Sequence, residues 1–326
     1  MEKTAPEPRF VEPLLMTEAK ISPAKIFVQG RSLREILNLH ADWLEGKGGE
    51  RANIRGGTFS DADLQGVDLR QSILTGTTFL DADLSHIDFE GAELRKCDFR
   101  NATLVRTNFA GAELEDLNLQ HSLFAESNLS EARMHGLLFR DANMRDCRFY
   151  EARMTSCDFT NANLQSAYLI RVIASECSFV GADMEKCSLL RARLNSCRFV
   201  AAKLGEANLS SVQASDCEFR GAQMNSAKLS AANLTQCIFS SAIMTSCDLR
   251  ESNLSTSDFS SAMLLNSNFR EANIMATDFR GSVLEGARGL TGRQLSKSLT
   301  SYATVLPSGT RGPFIQGKYS ELPVFR

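Results

Sequence analysis

Hydrophobic residues recur along this chain at every fifth position. From Ile54 to Leu284 each fifth residue is Leu, Phe, Met or Ile, with Ala174 and Ala214 as the exceptions, and the forty-seven units run without insertion or deletion. Two residues before most of these centres sits a small residue, as in Ala62/Leu64, Ala82/Leu84 and Ala102/Leu104, and the position between is often Asp or Asn. A period of five fits neither the 3.6 of a helix nor the 2.0 of a strand. The chain must therefore turn after each unit. If each unit is one side of a square, two residues point inward and three outward. Four sides then return the chain to its start, and the coils stack through backbone hydrogen bonds at about 4.8 Å.

The pattern also has a twenty-residue order. Starting at Phe59 and stepping by twenty, eleven of twelve centres are Phe, with Leu119 the exception. One wall is thus predicted to be a column of stacked rings. Where the centre shrinks to Ala174 or Ala214, the preceding small position grows to Val172 or Val212. Such compensation is expected inside a filled tube and places both positions in the core. About twelve coils at about 4.8 Å each make a rod on the order of 55 Å long.

The units Ala62–Leu64 (ADL), Ala162–Leu164, Ala207–Leu209 and Ala232–Leu234 (ANL) resemble the pentapeptide-repeat family, whose consensus is Ala-(Asp/Asn)-Leu-X-X, and the resemblance covers residues 51–290. It implies an all-β solenoid, a right-handed quadrilateral β-helix of about twelve coils with short α-helical caps of the bacterial type. For function it implies less. Members include DNA-mimicking quinolone-resistance proteins that bind topoisomerases, secreted bacterial effectors, and proteins without an assigned activity.

Both ends of an open stack need covers. Ser32 and Glu35 have capping-box spacing, with Leu33, Ile36, Leu37, His40, Trp43 and Leu44 as an apolar helix face and Gly46 as a stop; Trp43, the single tryptophan, is expected to pack on the first coil. Thr291 and Gln294 repeat the capping spacing near the C-terminus, with Leu295 and Leu299 facing inward. The expected organisation is an N-terminal arm (1–31), a capping helix (32–50), the β-helix (51–290) and a C-terminal helix and tail (291–326), with the first two dozen residues a flexible stretch that could serve delivery.

The chain has 326 residues, 43% hydrophobic and 23% charged, with a formal charge of −3. That is an ordinary globular composition and argues against a basic nucleic-acid binder. No apolar run approaches the about eighteen residues of a membrane span, and the N-terminal MEKTAPEPRFVEP is no signal peptide, so a cytoplasmic location is the default. Secretion by a route without a cleavable signal stays open.

Candidate chemistry is sparse. All nine cysteines fall in the small inward position, Cys97, Cys157, Cys177, Cys197, Cys217 and Cys237 on one wall and Cys147, Cys187 and Cys247 on the opposite one. A linear file of parallel thiols does not converge as a zinc site must, and parallel Cβ vectors suit no disulfide, so core packing is the expected role. The histidines His40, His86, His121 and His135 form no cluster, and no catalytic arrangement separates from the repeat's own Asp frequency. No enzyme, metal or cofactor is expected.

The outward residues are where the sequence varies. Residues 51–131 carry 7 basic and 14 acidic side chains, residues 132–210 carry 11 and 8. Asp63 over Asp83 and Asp68 over Asp88 form a candidate acidic face, able to mimic a row of phosphates or simply to be solvated. In the middle, Tyr150, Ile170 and Leu190 form one file flanked by Tyr168, Arg148, Arg171, Arg191 and Arg193, the composition of a binding hot spot. The leading expectation is a protein-binding scaffold with an unidentified protein partner. A topoisomerase-binding DNA mimic and a secreted effector acting by binding are the alternatives, and the oligomeric state is left open.

Overall fold

The computed structural model describes residues 20–314. A short hairpin, β1 (Phe27–Val28) and β2 (Arg31–Ser32), leads into α1 (Leu33–Leu44). A parallel sheet follows, made of β3 (Asn53–Thr58), β4 (Ile73–Thr78), β5 (Glu93–Arg95), β6 (Glu113–Glu115), β7 (Arg133–His135), β8 (Arg153–Thr155), β9 (Ile173–Ser175), β10 (Arg193–Asn195) and β11 (Gln213–Ser215), each paired with the next at an offset of twenty, as in Leu74↔Leu94. The other three sides pair as isolated parallel bridges at the same offset, Asp63↔Asp83, Asp68↔Asp88 and Thr78↔Asp98 among them. The molecule is a four-sided parallel β-solenoid. In chain order its sides are the phenylalanine side (Phe59, Phe79 and onward), the Leu64 side, the Leu69 side and the strand side.

The unit Ala162–Ser166 shows why the consensus has its form. The Ala162 N–H closes the turn onto the Phe159 carbonyl at 3.0 Å, Asn163 N–H donates back to Ala142 at 2.9 Å, and Leu164 and Ser166 N–H donate forward to Asp183 and Glu185 at 2.6 and 2.9 Å. The remaining donor, Gln165 N–H, is taken by Asn163 Oδ1 at 3.1 Å. Every backbone donor of the unit is satisfied, and the Asp/Asn of the consensus supplies the acceptor that the backbone lacks. From Ile73 to Gln213 the strand side offers no Asp or Asn at this position. Where Asn233 restores one, its Oδ1 accepts the Thr235 N–H and the strand gives way to single bridges.

One cost recurs with the same period. The second residue after each centre is left-handed, from Asp61 to Ala276 with φ between 51° and 61° wherever it is not glycine. Glycine would adopt this without strain, yet most units place Asp, Glu, Ser, Asn or Arg there, each strained by about 1 kcal/mol. The same residue's N–H makes a coil-to-coil bond, as from Asp81 to the Arg100 carbonyl at 3.2 Å, so pairing holds the strained conformation.

Inside, Phe139 to Phe259 stack at ring-centroid spacings of 4.6–4.8 Å and within 9° of parallel. At Leu119 the column breaks. There Phe109 of the Leu69 side and Phe124 of the Leu64 side stack on each other at 5.5 Å, and Phe124 meets Phe139 edge-on at 5.9 Å. The compensating pairs Val172/Ala174 and Val212/Ala214 are all buried.

Both ends are closed. Leu33, Ile36 and His40 of α1 are buried on the first coil, with Leu37 packed beside them, and Ser32 Oγ accepts the Glu35 N–H at 3.2 Å. Trp43 takes a lesser place than expected: it is half-buried at the rim, stacked on His40 at 5.6 Å and below the Arg51 guanidinium. The site on the coil is filled by His40, whose two ring nitrogens meet both backbone groups exposed there. Its Nδ1 accepts the Ala52 N–H at 3.1 Å and its Nε2 faces the Arg70 carbonyl at 3.0 Å, which fixes the neutral Nε2–H tautomer. Ile21 adds a bridge to Ala62 on the exposed edge. At the far end Thr291 and Gln294 complete a full capping box on α2 (Gly292–Leu295), Gln294 Nε2 donates to the Ala272 carbonyl at 2.9 Å, and Leu299 and Val305 pair with Asp278 and Val283. Leu295 is buried as expected, but Leu299 is exposed, because it pairs in register with the outward-facing Asp278.

Burial holds His40 below its ordinary pKa, with the Arg70 carbonyl opposing. The unfolded chain binds this proton first, so stability is full above about pH 6.5 and falls below it, by up to about 1.4 kcal/mol per pH unit until the folded group titrates. Asp248 and Asp278, held low by hydrogen bonds from Arg250 and Arg280, lose their contribution only below about pH 4. Denaturant midpoints measured across this range should fall between those limits. His40→Gln, which keeps an acceptor and a donor without a titrating proton, should flatten that fall, and an unchanged slope would refute the role of His40.

Candidate interaction surface

Repeat geometry decides which outward side chains meet. Arg148 and Tyr168 occupy successive rungs of one file on the Leu69 side, Tyr150, Ile170 and Leu190 the neighbouring file, and Arg171 and Arg191 the corner toward the strand side. Tyr150 and Tyr168 stack at a centroid distance of 6.0 Å and an angle of 18°, and are 37% and 41% exposed. Ile170 and Leu190 are half-buried. Arg193 lies around the corner on β10, beside Ile173 of β9.

Between that corner and the strand side runs a groove of about 510 Å³, walled by Glu151, Arg171, Arg191 and Ser211 on one edge and Arg153, Ile173, Arg193 and Gln213 on the other. Arg171 bonds Glu151 at 2.8 Å. Arg148, Arg153, Arg191 and Arg193 have no carboxylate partner among the described residues. Arg153, Ile173 and Gln213 were not evident as surface partners in the sequence, where they stand next to small core residues. The signal was their spacing: each follows its corner residue by two, and flanks with it one inward residue.

The acidic candidates are arranged differently. Asp63 and Asp83 lie on the Leu64 side and Asp68 and Asp88 on the Leu69 side, so the four straddle a corner. Arg70 forks onto Asp68 at 2.7–3.1 Å and reaches Asp88 at 3.9 Å, while Gln65 Nε2 and Ser85 Oγ donate to Asp83. Partial burial pushes the Asp68 carboxyl up, but the Arg70 hydrogen bonds outweigh it and hold it below the usual range. Each column then passes to a neutral residue, Thr103 or Asn108.

A second apolar file runs along the Leu64 side near the C-terminal end, with Ile243, Met263 and Val283 at intervals of twenty and Val305, past the end of the repeat, twenty-two residues further on. The nine thiols are free and buried. Burial pushes Cys147, Cys187 and Cys247 up to about 12. Among the described residues no group of His, Cys, Asp and Glu is placed to hold a metal ion, and no helix is long and apolar enough to cross a membrane.

The repeat defines a class of protein, and the family profiles agree with the geometry. Residues 52–91 match the profile described as pentapeptide repeats (8 copies), and residues 92–169, 152–227 and 212–288 match the pentapeptide repeat region. The chain belongs to the pentapeptide-repeat family. Among solved structures it is similar to HetL, a pentapeptide repeat protein involved in heterocyst differentiation regulation from the cyanobacterium Nostoc sp. strain PCC 7120 (20% identity, 76% of this chain and 92% of that one, TM-score 0.31). It is also similar to full-length QnrB1, a plasmid-mediated fluoroquinolone resistance protein (16% identity, 79% and 94%, TM-score 0.19). A third is Rfr23 from the cyanobacterium Cyanothece 51142 (19% identity, 35% and 90%, TM-score 0.21). None of these likenesses bears on function. No curated protein matches the sequence.

All nine thiols are enclosed in the core, where a structural cysteine is closed to reagents in solvent. The folded protein should therefore leave a thiol reagent unconsumed at neutral pH, and the denatured chain should react at all nine cysteines. Rapid reaction of the native protein would place one of these thiols in solvent.

Proposed function

We propose that this protein is a non-enzymatic scaffold that binds a protein partner through the side carrying Arg148, Tyr150, Tyr168, Ile170, Arg171, Leu190, Arg191 and Arg193. The observation that carries the reading is the stacked, exposed pair Tyr150–Tyr168, set beside arginines without carboxylate partners. Stacked tyrosines already ordered on a rigid wall lose little entropy on binding, and Arg and Tyr are the residues on which interface energy concentrates. The backbone there is fixed by coil pairing, so recognition needs no rearrangement of the rod.

A topoisomerase-binding DNA mimic is the second reading. It requires a continuous acidic face, and the arrangement of Asp63, Asp68, Asp83 and Asp88 around a corner, with Arg70 between them, weighs against it. An effector role would rest on the same binding surface, and the N-terminal arm proposed for its delivery, residues 1–19 of it, lies outside the described residues. A cytoplasmic site of action is the default.

Affinity capture with the full chain should retain a partner that the triple variant Tyr150→Ser, Ile170→Ser, Leu190→Ser loses, by at least about tenfold in affinity if one hot-spot side chain is involved. The variants sit outside the core, so circular dichroism and melting should stay near the parent's. A partner captured equally by both proteins would reject this surface, and unchanged supercoiling by gyrase at micromolar protein would reject the second reading.

A further inference from the structure

The groove beside this surface has a chemistry of its own. Its two walls are files that climb one coil at a time: Glu151, Arg171, Arg191 and Ser211 face Arg153, Ile173, Arg193 and Gln213 across the inward residues Ala152, Val172, Ala192 and Val212. Four arginines stand against one glutamate, and that glutamate is bonded to Arg171. Arg191 and Arg193 flank the same buried residue, Ala192, so two like charges border one rung with no carboxylate among the described residues to separate them. Such a pair favours an anion between its guanidiniums, which present planar forks matched to carboxylate.

The length and surroundings of the groove limit what that anion belongs to. Three coil steps of about 4.8 Å span about 14 Å, the length of about four extended residues. Beyond it, toward the N-terminus, the arginines are matched by carboxylates, Arg133 by Glu113 at 3.9 Å and Arg95 by Glu115 at 3.4 Å, with Glu131 and Asp116 on the same coils, and around the strand side stand Glu176, Asp216 and Glu218. A nucleic-acid backbone, with phosphates far past the groove, would run onto these carboxylates. Ile173, one rung from the Arg191/Arg193 pair, adds an apolar contact. We propose that the groove binds an extended acidic peptide segment along the rod axis, with a carboxylate held between Arg191 and Arg193 and an apolar side chain on Ile173.

The inference rests on reading this side as a binding surface, but it fails separately. The probe is a labelled peptide of about eight residues alternating Glu and Leu, followed by fluorescence anisotropy on the full chain at low salt. Saturable binding is expected, weakened at least about tenfold by Arg191→Glu with Arg193→Glu, since each removes a charge-assisted hydrogen bond. Arg34→Glu on α1 should leave it unchanged, and raising salt to about 0.3 M should weaken it. The charge-reversed protein should in turn bind the matching Lys/Leu peptide, which an unfolded variant would not do with saturation. No saturable binding of the Glu/Leu peptide, an equal loss with Arg34→Glu, or tighter binding of a single-stranded oligonucleotide would overturn the proposal. If partner capture still depends on Tyr150, Ile170 and Leu190 in those cases, the groove assignment falls and the scaffold reading stands.

Discussion

Coil-to-coil backbone pairing is the constraint from which the rest of this protein follows. A chain that turns every five residues gives up helix and long-strand hydrogen bonding, and must find a partner for each N–H in another way. The unit Ala162–Ser166 does so with one turn bond, three bonds to the coils above and below, and one bond to an Asn side chain. Because the bonds link residues twenty apart, a single inserted residue would turn every later inward side chain outward. The absence of insertions from Ile54 to Leu284 is that penalty made visible.

Pairing also sets the core. Rungs at about 4.8 Å place equivalent side chains at the separation where parallel rings make contact, so Phe stacks at 4.6–4.8 Å through most of its column. Small side chains fill most of the second inward positions, where Ala, Ser, Thr and Cys are interchangeable by volume, and larger ones enter at Ile87, Leu117, Leu137, Val172 and Val212. Cysteine is one of several solutions to that steric problem. The left-handed residue in each unit is a cost of the same design. It is tolerated at non-glycine positions because pairing on both sides over-determines the backbone.

These relations explain what the sequence disclosed. The side, the inward and outward positions, the phenylalanine column and the Val172/Ala174 and Val212/Ala214 compensation follow from period alone, because a repeated geometry leaves a repeated residue. The buried place of His40 does not, since it depends on two backbone groups, Ala52 N–H and the Arg70 carbonyl, that belong to the first coil's exposed edge and to no repeat. The left-handed residues were hidden for the opposite reason. Their side chains vary freely while their backbone does not, so their conformation leaves little mark on residue type. On the surface, Tyr150 and Tyr168 could be placed together by counting, but the groove required knowing that a corner residue and the second residue after it form facing walls.

A rod of this kind separates stability from recognition more completely than a globular domain does. Inward positions are dictated by packing and the Asp/Asn position by a backbone N–H, which leaves the residues around each turn free to vary. Charge on those positions is mostly self-neutralised: Arg70, Arg100, Arg250 and Arg280 each fork onto the aspartate two residues before it. Such forks complete themselves inside one unit and leave nothing for a partner. Arg153, Arg191 and Arg193 depart from that habit, because the residues two before them are Glu151, Leu189 and Arg191, of which the first is bonded to Arg171 and the other two cannot accept. Unneutralised charge gathered on one wall, in a rod where many arginines carry a carboxylate partner, is retained at the expense of self-repulsion. On a wall whose backbone cannot move to relieve it, that repulsion is available to an incoming anion.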